Sequence, residues 1–170
     1  MSRRFTLRRD GRVDLTLEGP EADLLRGLPA ELRALYESDT PDPAHDRLFP
    51  RAYLDPTEEQ AEQQWQELVY PELLQGRLAN LERITAALDA ADTGRKDRLV
   101  VHLNPDDVQA WLGVLNDARL TLGTRIGVTD ETDLTELDPD DPATPVLAAY
   151  AWLTYLEGEL VEALLGGMPG

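Results

Sequence analysis

The stretch from residue 104 to residue 128 most constrains the fold, because it combines signals for both ends of a helix with a helical apolar period. Asn104 can cap the first turn, and Pro105 fits the first helical position, where its missing N–H costs nothing. Gly127 can take the left-handed conformation that ends a helix. The apolar residues between these ends recur mostly at three- and four-residue steps: Val108, Trp111, Leu112, Leu115, Leu122 and Ile126. The pattern predicts one long helix with a broad packed face.

Polar residues interrupt this apolar pattern. They are Asn116, Asp117, Arg119 and Arg125. Gly113 and Gly123 each cost roughly 1 kcal/mol relative to Ala inside a helix, so another element is expected to approach the backbone there. One interpretation is packing, with Asp117 in a structural ion pair with an arginine. The alternative is that the four polar side chains converge on a pocket for a small ligand.

The N-terminal residues 5–17 alternate apolar and polar side chains on either side of a turn that contains Gly11. This pattern predicts a two-stranded hairpin. A three-residue loop with Gly11 in the left-handed conformation pairs the apolar residues so that they all face one core, whereas a two-residue loop divides them between the two faces. The predicted pairs are Phe5 with Leu15 and Leu7 with Val13.

Helical periodicity returns in three other stretches, which cover residues 19–36, 57–91 and 142–167. Pro29 should kink the first helix or split it in two, and Pro71 should bend the second. The second is expected to start with a capping box at residues 57–60. The third is the most apolar, which predicts a central position or an oligomer interface.

A short apolar and partly β-branched stretch at residues 99–103 predicts a third strand that can pair with the hairpin. Turn-forming and polar residues predict loops at 38–56, 92–97 and 129–141. The expected fold is α+β and mainly α: a helical bundle with a small three-stranded antiparallel sheet, formed by the hairpin and the strand near 99–103. At 170 residues, the chain is expected to form a single domain, 1–170.

Composition excludes several kinds of chemistry. The formal net charge of −17 argues against broad binding of nucleic acid, which depends on basic groups that displace counterions. The chain contains no cysteine, so it has no thiolate nucleophile and no cysteine-ligated metal. No stretch has the pattern of a signal peptide or of a membrane span, so the expected location is cytoplasmic, with no membrane partner.

No residue pattern predicts catalysis. The two histidines, His45 and His102, are far apart in sequence and belong to no zinc or nucleophile motif. The acidic loop at 129–141 lacks the glycine that an EF-hand calcium loop needs at its sixth position. We therefore expect no catalytic residue, no metal site and no cofactor, and the chain is predicted not to be an enzyme.

Two clusters are candidate partner-binding surfaces. The first is the basic end of the hairpin, with Arg8, Arg9 and Arg12. It is either a solvated face that discourages edge pairing or a contact surface for an acidic partner or nucleic acid. The second lies in the proline-rich loop, where it either folds back over the edge of the core or forms a docking surface. Its members are Arg47, Phe49, Arg51 and Tyr53.

Three sequence stretches carry a family resemblance. They are LFPRAY at 48–53, WLGVLNDARLTLGTRIG at 111–127 and YAWLTYL at 150–156. Together they resemble an actinobacterial family of domain-of-unknown-function proteins that includes the oxidative-stress regulator AosR. The resemblance implies a transcription-linked regulator that works with an extracytoplasmic-function sigma factor. The oxidant sensor of that family relies on a closely spaced cysteine pair, so redox switching by that route does not transfer to a chain without cysteine.

The leading functional hypothesis is a non-enzymatic cytoplasmic regulatory protein that acts through protein–protein interaction, with a sigma factor as the partner that the resemblance implies. One alternative is direct DNA binding through the N-terminal arginine cluster. Another is a small-ligand-binding helical module that uses the polar residues of the long helix. Several helical faces are apolar enough to pair with a second copy, so a homodimer is a further alternative.

Overall fold

The computed structural model describes residues 3–135 and 137–166, in which helices surround one face of a small sheet. The helices are α1 (Gly19–Tyr36), α2 (Pro43–Leu48), α3 (Glu59–Asp89), α4 (Pro105–Ile126) and α5 (Thr144–Gly166). The strands are β1 (Phe5–Leu7), β2 (Val13–Leu17), β3 (Asp92–Thr93) and β4 (Leu99–Leu103). Short 3₁₀ turns lie at Pro56–Glu58 and Arg95–Asp97. The predicted class, mainly helical with a small antiparallel sheet, is confirmed.

The sheet has the order β1-β2-β4-β3, with antiparallel pairing throughout. The predicted hairpin register is confirmed, because Phe5 lies opposite Leu15 and Leu7 opposite Val13. Gly11 has a φ of +86°, as the three-residue loop requires. The apolar residues of β1, β2 and β4 that line up with Phe5 and Leu15 face the helices, and all of them except the half-buried Leu7 and Leu99 are buried.

The sheet contains four described strands, so the prediction of three was wrong. The additional strand, β3, lies in the segment that was predicted to be a polar turn, and Asp92 pairs with Val100 of β4. The turn between them is closed by a bond of 2.6 Å from the Gly94 N–H to the Arg98 carbonyl. Aspartate is a poor strand former, so this strand depends on its pairing with β4 rather than on local propensity.

Helix α4 is central and has the predicted ends. The Asn104 side chain accepts the Asp107 N–H at 2.8 Å, the Asp107 carboxylate bonds back to the Asn104 N–H, and Gly127 is left-handed with a φ of 69°. Trp111 and Leu115 of α4 are fully buried. Helices α2, α3 and α5 pack around α4.

The two interior glycines of α4 mark close contacts, as predicted. A Cβ at Gly113 would lie 3.2 Å from the Asn80 amide nitrogen of α3. A Cβ at Gly123 would lie 3.0 Å from the Tyr150 ring of α5. A side chain at either position would press on the Asn80 side chain or the Tyr150 ring, which is a physical reason for glycine there.

Three helix predictions need correction. Helix α1 continues through Pro29, which excludes the alternative of two short helices, because buried leucines before and after the proline hold both halves against the same core. The capping box at 57–60 does not form. Instead, Asp55 accepts the Thr57 N–H at 2.9 Å and starts a 3₁₀ turn ahead of α3. The predicted loop 38–56 contains α2, a six-residue helix that the Asp42 side chain caps.

Helix α5 is central on one face only. Leu153, Leu156 and Leu160 are buried, whereas Tyr155 and Leu165 are exposed. The helix is described as far as Gly166, and residue 167, where we expected it to end, lies outside the described residues.

A buried ion pair joins four helices. The Asp117 carboxylate of α4 is 4% exposed and accepts bonds from the Tyr36 hydroxyl of α1 at 2.5 Å and from the Arg77 guanidinium of α3. Arg77 Nη2 also donates to the Leu48 carbonyl at the end of α2, at 3.0 Å. This arrangement confirms the interpretation of Asp117 as a member of a structural ion pair.

We predict that Asp117→Ala lowers the free energy of unfolding by about 3 kcal/mol, because it leaves the Arg77 charge partly buried without its partner. The matched control is Asp106→Ala on the same helix, where the side chain is 83% exposed and the expected loss is about 1 kcal/mol or less. Chemical denaturation measures both. Equal losses in the two variants would contradict a central role for the buried pair.

Candidate functional site

Three of the four polar residues of α4 bind groups of different neighbouring elements, and the fourth, Asn116, binds Arg119 of the same helix. Arg119 lies 3.1 Å from Glu157 of α5 and donates to Asn116 at 3.0 Å. Arg125 lies 3.5 Å from Asp42, the cap of α2. A ligand module required Asn116, Asp117, Arg119 and Arg125 to converge on a cavity, and in the part of the chain that the structure describes they do not.

The arginines of the hairpin end lie next to carboxylates. Arg8 bonds to Asp14 at 2.5 Å, and Arg12 bonds to Asp10 at 2.7 Å. Arg9 is exposed at the tip of the loop. Two of the three predicted positive charges are therefore offset within the hairpin, which reduces their attraction for phosphates.

The proline-rich loop divides between the core and the surface. Phe49 is 5% exposed and contacts Tyr36 edge-on, with 5.9 Å between the ring centroids. The Arg77 guanidinium lies 5.0 Å from the centroid of the Phe49 ring. Phe49 thus folds back into the core and is not part of an exposed surface, whereas Arg47, Arg51 and Tyr53 are exposed.

A buried carboxylate fixes the exposed part of this loop. Glu62, in the first turns of α3, is only 2% exposed. Its Oε2 accepts two consecutive backbone N–H groups, from Ala52 at 3.0 Å and from Tyr53 at 2.8 Å. Its Oε1 accepts the Gln66 side-chain amide at 2.9 Å. Both carboxylate oxygens are therefore satisfied, and the loop is tied to the helix that follows it.

The electrostatics of Glu62 keep it ionised. Burial alone would raise the pKa of Glu62, but hydrogen bonds from Gln66, Tyr53 and Ala52 outweigh it and hold the pKa below its ordinary value. A second tie is the bond from Arg51 to Glu59 at 2.5 Å. Sequence reasoning missed Glu62, because its main partners are backbone groups and nothing in the sequence distinguishes it from the other acidic residues of α3.

The fixed loop and the first half of α3 carry exposed apolar side chains. Their exposed fractions are 38% for Tyr53, 82% for Leu54, 76% for Leu68 and 37% for Leu73. We call these four residues the loop–α3 surface. Arg51 and Glu59 lie beside it in sequence and are exposed. Leu68 and Leu73 are five residues apart on α3 and therefore lie on different sides of the helix, so Tyr53 and Leu54 of the loop are the exposed apolar pair that suits an interface anchor.

Both histidines bind groups of the fold. His102 lies on the outer face of the sheet, with Nδ1 2.8 Å from an Asp14 oxygen and Nε2 2.8 Å from an Asp92 oxygen. Hydrogen bonds to these two carboxylates raise the pKa of His102. His45 Nε2 lies 3.2 Å from the Tyr70 hydroxyl. The His102 cluster joins β2, β3 and β4, which explains how the short strand β3 is held.

Within residues 3–135 and 137–166, no three His, Asp or Glu side chains lie close enough together to hold one metal ion. Glu136 of the acidic loop lies outside that part of the chain. In the same ranges, no helix combines the length and the apolar character needed to cross a membrane.

The fold and the loop–α3 surface define a mainly helical α+β protein with a candidate protein-docking site. Residues 2–164 match the family model described as a domain of unknown function, DUF2017. The chain belongs to the DUF2017 family. No curated protein and no solved structure matches it.

We predict that Glu62→Ala frees the loop, so that hydrogen exchange of the Ala52 and Tyr53 amides accelerates at neutral pH. The matched control is Glu67→Ala, an exposed position on the same helix, which should leave both amides protected. In the wild type, the same protection should be lost as the pH falls through the pKa of Glu62, which lies below the ordinary glutamate value. Unchanged exchange in Glu62→Ala would contradict the assigned role.

We predict that NMR titration gives His102 a pKa above about 6.5, the ordinary value for histidine. Because the pKa of His102 is raised in the folded state, protonated His102 contributes its full stabilisation below the ordinary histidine pKa. This stabilisation is lost as the pH rises through the folded-state pKa. Wild type and His102→Gln should therefore differ most in the free energy of unfolding under mildly acidic conditions and converge under alkaline ones. A constant difference across this range would contradict the two-carboxylate assignment.

Proposed function

We propose that this protein is a non-enzymatic cytoplasmic regulatory protein that acts by binding another protein. The observation that carries the proposal is the loop held by Glu62, which presents Leu54 with 82% of its surface exposed. The resemblance to actinobacterial regulators suggests a transcription-linked role with a sigma factor as the partner.

The exposed Leu54 supports a docking site because the backbone just before it is held in place by Glu62. A single exposed apolar residue is ordinary on a protein surface. Fixing a backbone, however, costs about 1–2 kcal/mol per residue, and here two consecutive amides are fixed by a buried carboxylate. A loop that is ordered before binding pays less of this cost when its partner arrives. The geometry thus suits a preorganised docking site.

The charge around the surface favours a protein over nucleic acid as the partner. The 3₁₀ turn before α3 and the first half of α3 are acidic, with Glu58, Glu59, Glu67 and Glu72 exposed. These carboxylates repel phosphates, and the pairing of Arg8 and Arg12 removes much of the opposing attraction at the hairpin. Direct DNA binding is therefore less favoured. The exposed Arg9 can still contribute to the rim of a protein interface.

The test is co-purification of the tagged full chain from its native host, with identification of the bound proteins and with Leu54→Asp as the diagnostic variant. We expect a sigma factor or RNA polymerase with the wild type and at least tenfold less of it with Leu54→Asp, or about 1.4 kcal/mol. The free energy of unfolding should change by no more than about 0.5 kcal/mol, because the side chain is exposed.

The matched control is Val146→Asp, which places the same charge at an exposed apolar position of α5. Its partner recovery should equal that of the wild type. Equal recovery with Leu54→Asp would remove the loop–α3 surface from the proposal. Recovery of only metabolic or proteolytic proteins would contradict the transcription-linked role.

A further inference from the structure

One edge of the sheet is unpaired in the described structure. Strand β1 is the terminal strand, with β2 as its only neighbour in the sheet. The Thr16 N–H donates to the Arg4 carbonyl at 2.9 Å, and the Arg8 N–H donates to the Arg12 carbonyl at 2.7 Å. These bonds place residues 4, 6 and 8 in the positions that face β2. Because pairing alternates along an antiparallel strand, the N–H and C=O groups of Phe5 and Leu7 point towards the open edge.

A cleft of about 760 Å³ lies along this edge, between β1 and α5. Phe5, Thr6 and Leu7 line its strand side, and the helix side includes Tyr155 and Gly158. A cleft that runs beside unpaired backbone groups has the form of a site for strand addition, in which an extended peptide pairs with a sheet edge.

The charge in the cleft differs between its two sides. On the strand side, the lining includes one cation, Arg3, whereas Arg4 and Arg8 do not line the cleft and are paired with Glu21 and Asp14. On the helix side, the Glu159 carboxylate accepts the Arg4 backbone N–H through Oε1, at 2.6 Å. Its Oε2 is buried and has no hydrogen-bond partner among the described residues.

The exposed Glu162 also lines the helix side, one turn further along α5. The Glu159 and Glu162 carboxylates both line the cleft, so a cation between them gains charge-assisted bonds from both. The helix side therefore favours a basic side chain.

We propose that this cleft binds an extended, basic segment of a partner protein, which adds a strand to β1. Its backbone pairs with Phe5 and Leu7, and a lysine or arginine on the side that faces α5 reaches Glu159 and Glu162. Side chains alternate between the two faces of a strand. The peptide residues on the same face as the basic residue are therefore apolar, and those on the other face point to solvent beside Thr6. This site is separate from the loop–α3 surface and does not depend on it.

A second copy of this chain fits the edge less well. In the antiparallel register that pairs Phe5 with Leu7 of another copy, Arg3 lies opposite Arg9. Like charges directly opposite each other destabilise a sheet. Two chains that each carry a net charge of −17 also repel one another. A basic segment from a different protein has neither disadvantage.

The test uses a glycine that lines the cleft. A Cβ at Gly158, inside α5, would meet no heavy atom within 4 Å. Gly158→Leu therefore projects a side chain into the cleft from a position where its Cβ has room, and leucine favours a helix more than glycine does. The matched control is Gly27→Leu inside α1, where a Cβ also meets nothing within 4 Å and which does not line the cleft.

The probe is the blocked peptide acetyl-Thr-Val-Thr-Lys-Thr-Val-Thr-amide with the full chain. We expect binding that slows hydrogen exchange of the Phe5 and Leu7 amides and leaves that of Thr6 unchanged, because Thr6 already faces β2. Affinity should fall at least tenfold with Gly158→Leu and stay unchanged with Gly27→Leu. Replacing the peptide lysine by glutamate should also weaken binding at least tenfold.

Backbone pairing is tested by N-methylating every second peptide residue, in each of the two phases. Binding should be abolished only when the methyl groups are on the peptide amides that point towards β1, and not when they are on the amides that point away from it. The proposal is overturned by absence of binding at millimolar peptide, by equal affinity for the two glycine variants, or by unchanged exchange at Phe5 and Leu7. A dimer of the free protein that protects these two amides and is disrupted by Gly158→Leu would overturn the choice of occupant.

Discussion

The ion pair between Asp117 and Arg77 is the interaction on which the helical arrangement depends. Burying two charges is costly unless they meet each other with additional hydrogen bonds. The Tyr36 hydroxyl and the Leu48 carbonyl supply such bonds. Burial, reinforced by the charge of Asp117, raises the pKa of Tyr36, so this hydroxyl stays protonated and donates. The pair thus sets α1, α2, α3 and α4 relative to one another.

The candidate docking site follows from this core. Arg77 bonds to the last residue of α2 and stacks on Phe49, so the chain leaves the core at a defined point. A few residues after Phe49, the Ala52 and Tyr53 amides donate hydrogen bonds to the Glu62 carboxylate of α3. Since α3 supplies both Arg77 and Glu62, one helix anchors the two ends of the exposed segment. Its apolar side chains are therefore presented by a segment whose backbone the fold already holds.

The sequence predicted features whose causes are local. Asn104 and Gly127 end α4 through bonds within a few residues, and the apolar pattern of the hairpin allowed one register. Features with distant causes were missed. Asp92 is in a strand because β4 and His102 bind it. For Phe49 the sequence left two alternatives open, and the contacts with Arg77 and Tyr70 decide for burial. The role of Glu62 depends on backbone groups ten residues away, which leave no sequence signature.

The central claim is that the loop–α3 surface is ordered before it binds a protein. The most direct measurement is hydrogen exchange of the full chain, followed at the amides of residues 51–73, with and without the co-purified partner. The account predicts that the Ala52 and Tyr53 amides are already protected in the free protein and that binding adds protection across this segment. Rapid exchange of these amides in the free protein, or added protection confined to other parts of the chain, would contradict it.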